Sequence, residues 1–125
     1  MTTGPLLDIR KTVLGLGGDE TLFGKVAQIF VRITPDLLSS INAAITDEDL
    51  KRVYMDAHSL KGSVGVFEAP EVLVCVADVA RHAKNSDLAA TKHAFAAAQP
   101  LVERLLVELV PVVSAARAAA GSDAR

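Results

Sequence analysis

The stretch LKRVYMDAHSLKGSVGVF, Leu50 to Phe67, decides how this chain folds. Its apolar residues Leu50, Val53, Ala57, Leu60, Val64 and Phe67 follow one another at intervals of three, four, three, four and three. That is the repeat of one face of an α-helix, because a helix advances about 100° per residue and brings positions three and four apart onto one side. The spacing predicts a helix from about Glu48 to Phe67, capped by Thr46 or Asp47 and carrying acids in its first turn, where the helix dipole favours them. A face this regular has to be buried against something, so the rest of the chain should supply its partners.

Working outward, the punctuation divides the sequence into further helical segments. Upstream, GPLLDIRKTVLGLGGD predicts a short first helix, about Leu6 to Leu14, closed by Gly17 and Gly18, with Asp19 placed to cap the next. In the second segment Leu22, Val26, Ile29, Ile33, Leu37, Ile41 and Ala44 recur at helical spacing to about Ile45. Pro35 interrupts it, and since an interior proline costs about 3 kcal/mol it should kink the segment or split it at Thr34. Downstream, Pro70 sits in the first turn of a fourth helix ending about Lys84, where its missing N–H matters little. A last long segment starts after Ser86 or Asp87, is apolar at Leu88, Phe95, Ala98, Val102, Leu105, Leu109 and Val112, and should bend at Pro100 and Pro111. Every segment is amphipathic and the connections are short. The fold class expected is all-α: an up-and-down antiparallel four-helix bundle with a short additional N-terminal helix. The bundle should occupy residues 1–114, leaving 115–125 as a frayed or disordered tail without a sustained apolar stripe.

Composition agrees and narrows the function. A chain of 125 residues fits one domain. Half its residues are apolar but only one Tyr and four Phe contribute aromatic bulk, so Leu, Val, Ile and Ala must build the core. The net charge of −2, with acids and bases interspersed, leaves no basic stripe for a nucleic-acid backbone. No Gly-rich phosphate loop marks an ATP site, so no kinase activity of its own is expected. No secretory signal and no apolar run of membrane-spanning length occur, which makes a cytoplasmic protein with no membrane partner the expectation. Cys75, alone in VLVCVADVA, reads as a small core hydrophobe.

The Leu50–Phe67 helix has a second stripe that packing does not explain. His58 falls about 130° from the centre of the apolar face, and Tyr54, His58, Lys61, Gly62 and Gly65 lie within about 100° of one another. Each glycine weakens a helix by about 1 kcal/mol relative to alanine, so their presence calls for another reason. Together they clear side-chain bulk beside an outward imidazole. Neutral imidazole is a nucleophile near neutral pH, its ordinary pKa being about 6.5. A phosphoryl group on a ring nitrogen would add negative charge that Lys61, one turn on, can offset. Asp56 lies on another face, and no acid stands at helical spacing to orient the histidine as in a hydrolase triad.

The wording of this helix, AHSLKG within HSLKGSVG, resembles the H-x-L-K-G signature of histidine-containing phosphotransfer (HPt) domains. LGLGGDETL resembles the segment leading into their second helix, and the likeness runs from about Leu6 to Leu109. The resemblance implies that His58 is phosphorylated, at Nε2, accepting a phosphoryl group from a receiver-domain aspartate or a kinase and passing it to another receiver aspartate. It implies that Lys61 steadies the phosphohistidine charge and that Gly62, with Gly65, allows close approach of the partner. Tyr54, Met55 and Ser59 would form a docking rim. The partners implied are response-regulator receiver domains and a sensor or hybrid histidine kinase, with the chain itself a monomer. The receiver would bring Mg²⁺, so no cofactor and no metal is expected on this chain. One departure stands out: many members have a glycine ten residues after the histidine, where this chain has Glu68.

Other readings remain open at this level. The bundle could be an adaptor or regulator that binds a receiver or kinase without using its histidine. It could also be the N-terminal phosphotransfer module of a chemotaxis-type kinase, since those begin with similar domains. A metal or haem bundle through His58, His82 and His93 would require inward-facing ligands and motifs such as Glu-x-x-His, which do not occur. His82 and His93 read as surface residues.

Overall fold

The computed structural model describes residues 4–123. Among them are α1 (Ile9–Gly15), α2 (Glu20–Thr46), α3 (Leu50–Val64), α4 (Pro70–Lys84) and α5 (Leu88–Asp123). Helix α2 packs against α3 and α5, and α4 packs against the same two, so the four long helices close a ring. The short connections reverse the chain each time, and neighbours run antiparallel. The expected all-α architecture is what forms, with α1 as the short additional helix lying on α2.

Aspartates start four of the helices. Asp8, Asp19 and Asp49 each accept a hydrogen bond from the backbone N–H three residues on, and Asp87 does the same for Ala90. Each satisfies a donor that the helix itself leaves unpaired, a contribution of about 1 kcal/mol. Helix α4 has no side-chain cap and begins on Pro70, which has no N–H to satisfy.

Several boundaries differ from expectation. The first helix starts at Ile9 rather than Leu6, because Leu6 and Leu7 run as an irregular strap whose side chains enter the core and whose N–H groups bond to the Glu108 carboxylate, at 2.9 Å each. The cap of α3 is Asp49, not Thr46 or Asp47, since α2 runs on through Thr46 and Glu48 takes a left-handed conformation (φ 55°) to turn the chain. Pro35 neither splits α2 nor ends it. The proline deprives the Val31 carbonyl of its helical donor, but packing on both flanks holds the helix through the gap. The C-terminal segment expected to fray from residue 115 is helical as far as Asp123. Its run of alanines has the highest helix propensity of any residue type and needs no apolar stripe to continue. Residues 124–125 of that expectation lie outside the described residues.

The core is the shared interior of the ring. From α3 it takes Val53, Ala57, Leu60 and Val64, followed by Phe67 in the turn beyond the helix, which ends at Val64 rather than at Phe67 as expected, and from α5 Phe95, Ala98, Val102, Leu105 and Leu109. In α2 the buried line is Phe23, Ala27, Phe30, Thr34, Leu38 and Ile41, while Leu22 and Ile29 are exposed. As far as Leu38 the buried line thus lies one residue along from the expected one, a turn of about 100°, while Ile41 and Ala44 of the expected line are buried. Aromatic packing decides it. Phe67 meets Phe30 edge-on at 5.0 Å between centroids and Phe23 at 6.4 Å, and such pairs add about 0.5–1.5 kcal/mol beyond the area they bury.

Candidate functional site

With Val53, Ala57, Leu60 and Val64 buried, α3 can turn only its opposite side to solvent. His58, Lys61, Gly62 and Gly65 are all exposed there. The structure therefore brings together the stripe read from the sequence, on the middle and last turns of one helix. Lys61 lies in the last turn of α3, where the negative end of the helix dipole also favours a cation.

The two glycines differ. A Cβ added at Gly62 would meet nothing within 4 Å, so no packing against the protein requires a glycine at this position. The bare surface is available to an approaching molecule. At Gly65 a Cβ would come within 3.3 Å of the Lys61 carbonyl oxygen, a contact inside the helix end itself. Gly65 closes α3 with an ordinary right-handed φ of −60°, so no backbone conformation demands glycine there.

Of the rim residues, Met55 is 59% exposed and Ser59 is exposed, so both face outward beside His58. Tyr54 is half-buried against the core. Its ring stacks on the His58 imidazole with centroids 5.7 Å apart and planes at 26°. Lys84, which the sequence reading used only as the end of the fourth helix, places Nζ over the Tyr54 ring, 6.0 Å from its centroid. Nothing in a single-helix projection could have found it, because the contact crosses from α4 to α3.

Asp56 is committed elsewhere: the Ser40 hydroxyl on α2 donates to its carboxylate at 2.5 Å. That bond closes the α2–α3 seam and agrees with the absence of a triad-like acid behind His58. A groove of about 640 Å³ is lined by residues of the Leu6–Leu7 strap with Glu68, Pro70 and Glu108, and contains no residue of the His58 stripe. His58 is exposed to solvent and lines no part of that groove. A reacting group would have to arrive in a pocket belonging to another molecule, which suits exchange between proteins better than capture of a small substrate.

Glu68, the departure from the family pattern, needs no glycine. Its N–H donates to the Thr12 hydroxyl at 2.9 Å and its carbonyl accepts from the Asp8 N–H at 2.8 Å, while its φ is not positive. The turn after α3 is thereby pinned to α1. His93 is exposed on α5 and His82 is half-buried on α4. Among the described residues no three His, Cys, Asp or Glu side chains gather as metal ligands would. No helix of the described residues is long and apolar enough to cross a membrane.

A profile of the Hpt domain matches residues 25–116, from the first turns of α2 to Ala116 in α5. No match to a curated protein or a solved structure was found. The match takes in most of the four-helix ring and the exposed histidine stripe, and the chain belongs to the Hpt domain family, whose role is histidine phosphotransfer in two-component signalling.

Proposed function

We propose that His58 is the phosphorylated residue, taking a phosphoryl group from a receiver-domain aspartate or a kinase and handing it to another receiver aspartate. The single observation that carries this reading is an exposed imidazole on the solvent face of α3, with Lys61 one turn away and the open backbone of Gly62 beside it. In the transfer, the lone pair of a ring nitrogen, Nε2 in this reading, attacks phosphorus. An N–P bond forms as the P–O bond to the aspartyl carboxylate breaks, and the electron pair leaves with the carboxylate. The return step reverses each change. Such a reaction depends on in-line alignment and charge neutralisation more than on a local base. The Lys61 ammonium would offset the phosphoryl charge on this side. Mg²⁺ and the acidic pocket would come with the receiver, and the chain would act as a monomer in the cytoplasm.

The test is incubation with receiver domains charged by acetyl phosphate, scored for acid-labile, base-stable label on this chain. Wild type should be labelled and His58→Gln should not. Full label on His58→Gln defeats the assignment. Binding to a receiver that survives His58→Ala, with no transfer to wild type, would make the chain an adaptor.

A further inference from the structure

Resting on the phosphotransfer reading of His58, we propose that Tyr54 is the positioning residue of the site and that Lys84 holds Tyr54 from the neighbouring helix. A histidine on an exposed helix face ordinarily samples several rotamers. In-line transfer tolerates only the few that aim the nitrogen lone pair at phosphorus, and small misplacements are costly. A device that fixes the ring plane is therefore worth having, and Tyr54 supplies one. Helical side chains lean toward the N-terminus, so His58 reaches over the turn that carries Tyr54, four residues earlier. The two rings lie nearly parallel, 5.7 Å apart, in the offset-stacked range that aromatic pairs favour. The phenol flanks one face of the imidazole and restrains its plane, while the histidine as a whole stays exposed.

Tyr54 is itself restrained. It packs against the core on one side, and the Lys84 ammonium stands over its ring at 6.0 Å, the outer reach of a cation–π contact. Lys84 ends α4, where the helix dipole stabilises positive charge. Charge, phenol and imidazole form a relay of contacts that ties the orientation of His58 to the packing of α4 on α3. The ring of Tyr54 does this, not its hydroxyl, so phenylalanine should serve as well.

The experiment compares wild type with Tyr54→Phe, Tyr54→Leu, Tyr54→Ala and Lys84→Met. Two readouts are taken: the NMR shifts of the His58 ring protons, and single-turnover transfer from an acetyl-phosphate-charged receiver over a range of receiver concentrations. Tyr54→Phe should keep the ring-current shift and transfer within about twofold of wild type. Tyr54→Leu and Tyr54→Ala should lose the shift and about tenfold in the saturating rate, with half-saturation little changed. Lys84→Met should lose about threefold. A saturating rate in Tyr54→Leu equal to wild type, or a change in half-saturation alone, overturns the proposal and returns Tyr54 to a docking contact. If both Tyr54 truncations unfold, Lys84→Met decides: unaltered transfer and unaltered Tyr54 and His58 shifts overturn the relay. A wild type that takes no label defeats the phosphotransfer reading beneath the proposal, and that failure is recognisable because every variant is then equally silent.

Discussion

Gly24 of α2 and Ala116 of α5 pack so closely that a Cβ built on Gly24 would stand 2.8 Å from the Cβ of Ala116. Neither a lone methyl nor the backbone behind it can swing away. The absent side chain at position 24 thus fixes how near the two helices lie, and it ties α5 to the bundle beyond residue 114.

Gly24→Ala should gain about 1 kcal/mol of helix propensity and lose about 1–3 kcal/mol to overpacking, for a net destabilisation on the order of 1 kcal/mol. Urea unfolding measures it. Combining it with Ala116→Gly should show a favourable coupling of about 1 kcal/mol, because the clash is then gone. A Gly24→Ala protein more stable than wild type would mean that the helices separate freely.

Glu108 on α5 accepts from the Leu6 and Leu7 N–H groups at 2.9 Å and faces Arg104 at 3.5 Å. Its side chain is only 18% exposed, so removal leaves partly buried donors without an acceptor. Glu108→Ala should cost about 1–3 kcal/mol. Glu108→Gln keeps a single acceptor oxygen and should fall between. Amide exchange at Leu6 and Leu7 should speed up in both variants, more so in Glu108→Ala, and unchanged exchange would show the strap held by its side chains alone.

Thr34 is fully buried in α2, and its hydroxyl has no hydrogen-bond partner among the described residues. An unpaired buried hydroxyl costs about 1–3 kcal/mol. Thr34→Val keeps the branched shape and removes the polar atom, so it should stabilise the fold by about 1 kcal/mol. A lower thermal midpoint for the variant would show that the hydroxyl is in fact satisfied.

How far the fold could be read in advance depended on how many stripes each helix offered. In α3 only one face is apolar, and Val53, Ala57, Leu60 and Val64 are buried as their spacing predicts, as is Phe67 just beyond the helix end. Helix α2 carries two adjacent apolar lines. Periodicity ranked the aliphatic line through Leu22 and Ile29 first, but the contact of Phe23 and Phe30 with Phe67 buries the other, and that contact joins residues far apart in sequence. The exposed stripe proposed as the site was legible for the same reason as α3: His58, Lys61, Gly62 and Gly65 share one turn-to-turn line. Lys84 was not, since its relation to Tyr54 exists only once α4 has packed.

Burial pushes the Cys75 thiol above the ordinary range, and the nearby charges of Asp78 and Glu71 push it further. At neutral pH the folded protein therefore holds less thiolate than an unfolded chain, and alkylation by iodoacetamide should be slower folded than in urea. The sign of the stability effect follows. The unfolded chain releases its thiol proton at lower pH, so this contribution is complete below the unfolded thiol pKa and is lost as pH rises through the folded one. Cys75→Ala should lack that alkaline loss. Equal alkylation rates folded and unfolded at pH 7.5 would contradict the raised value.

Gly62 separates stability from function. Its surroundings are open, and no special backbone conformation is demanded of it. Gly62→Ala should stabilise α3 by up to about 1 kcal/mol. Larger residues such as glutamine should also be tolerated by the fold. Transfer should move the other way, because each added atom stands where a receiver would approach His58: a modest loss for Gly62→Ala and at least about tenfold for Gly62→Gln, seen as weaker half-saturation. Lys61→Ala should instead leave the folding midpoint unchanged and shorten the lifetime of the phosphorylated protein, since it removes charge and not space. Thermal melts beside transfer kinetics distinguish the two patterns. If Gly62→Gln transfers as wild type does, the cleared surface beside His58 is not where the receiver sits.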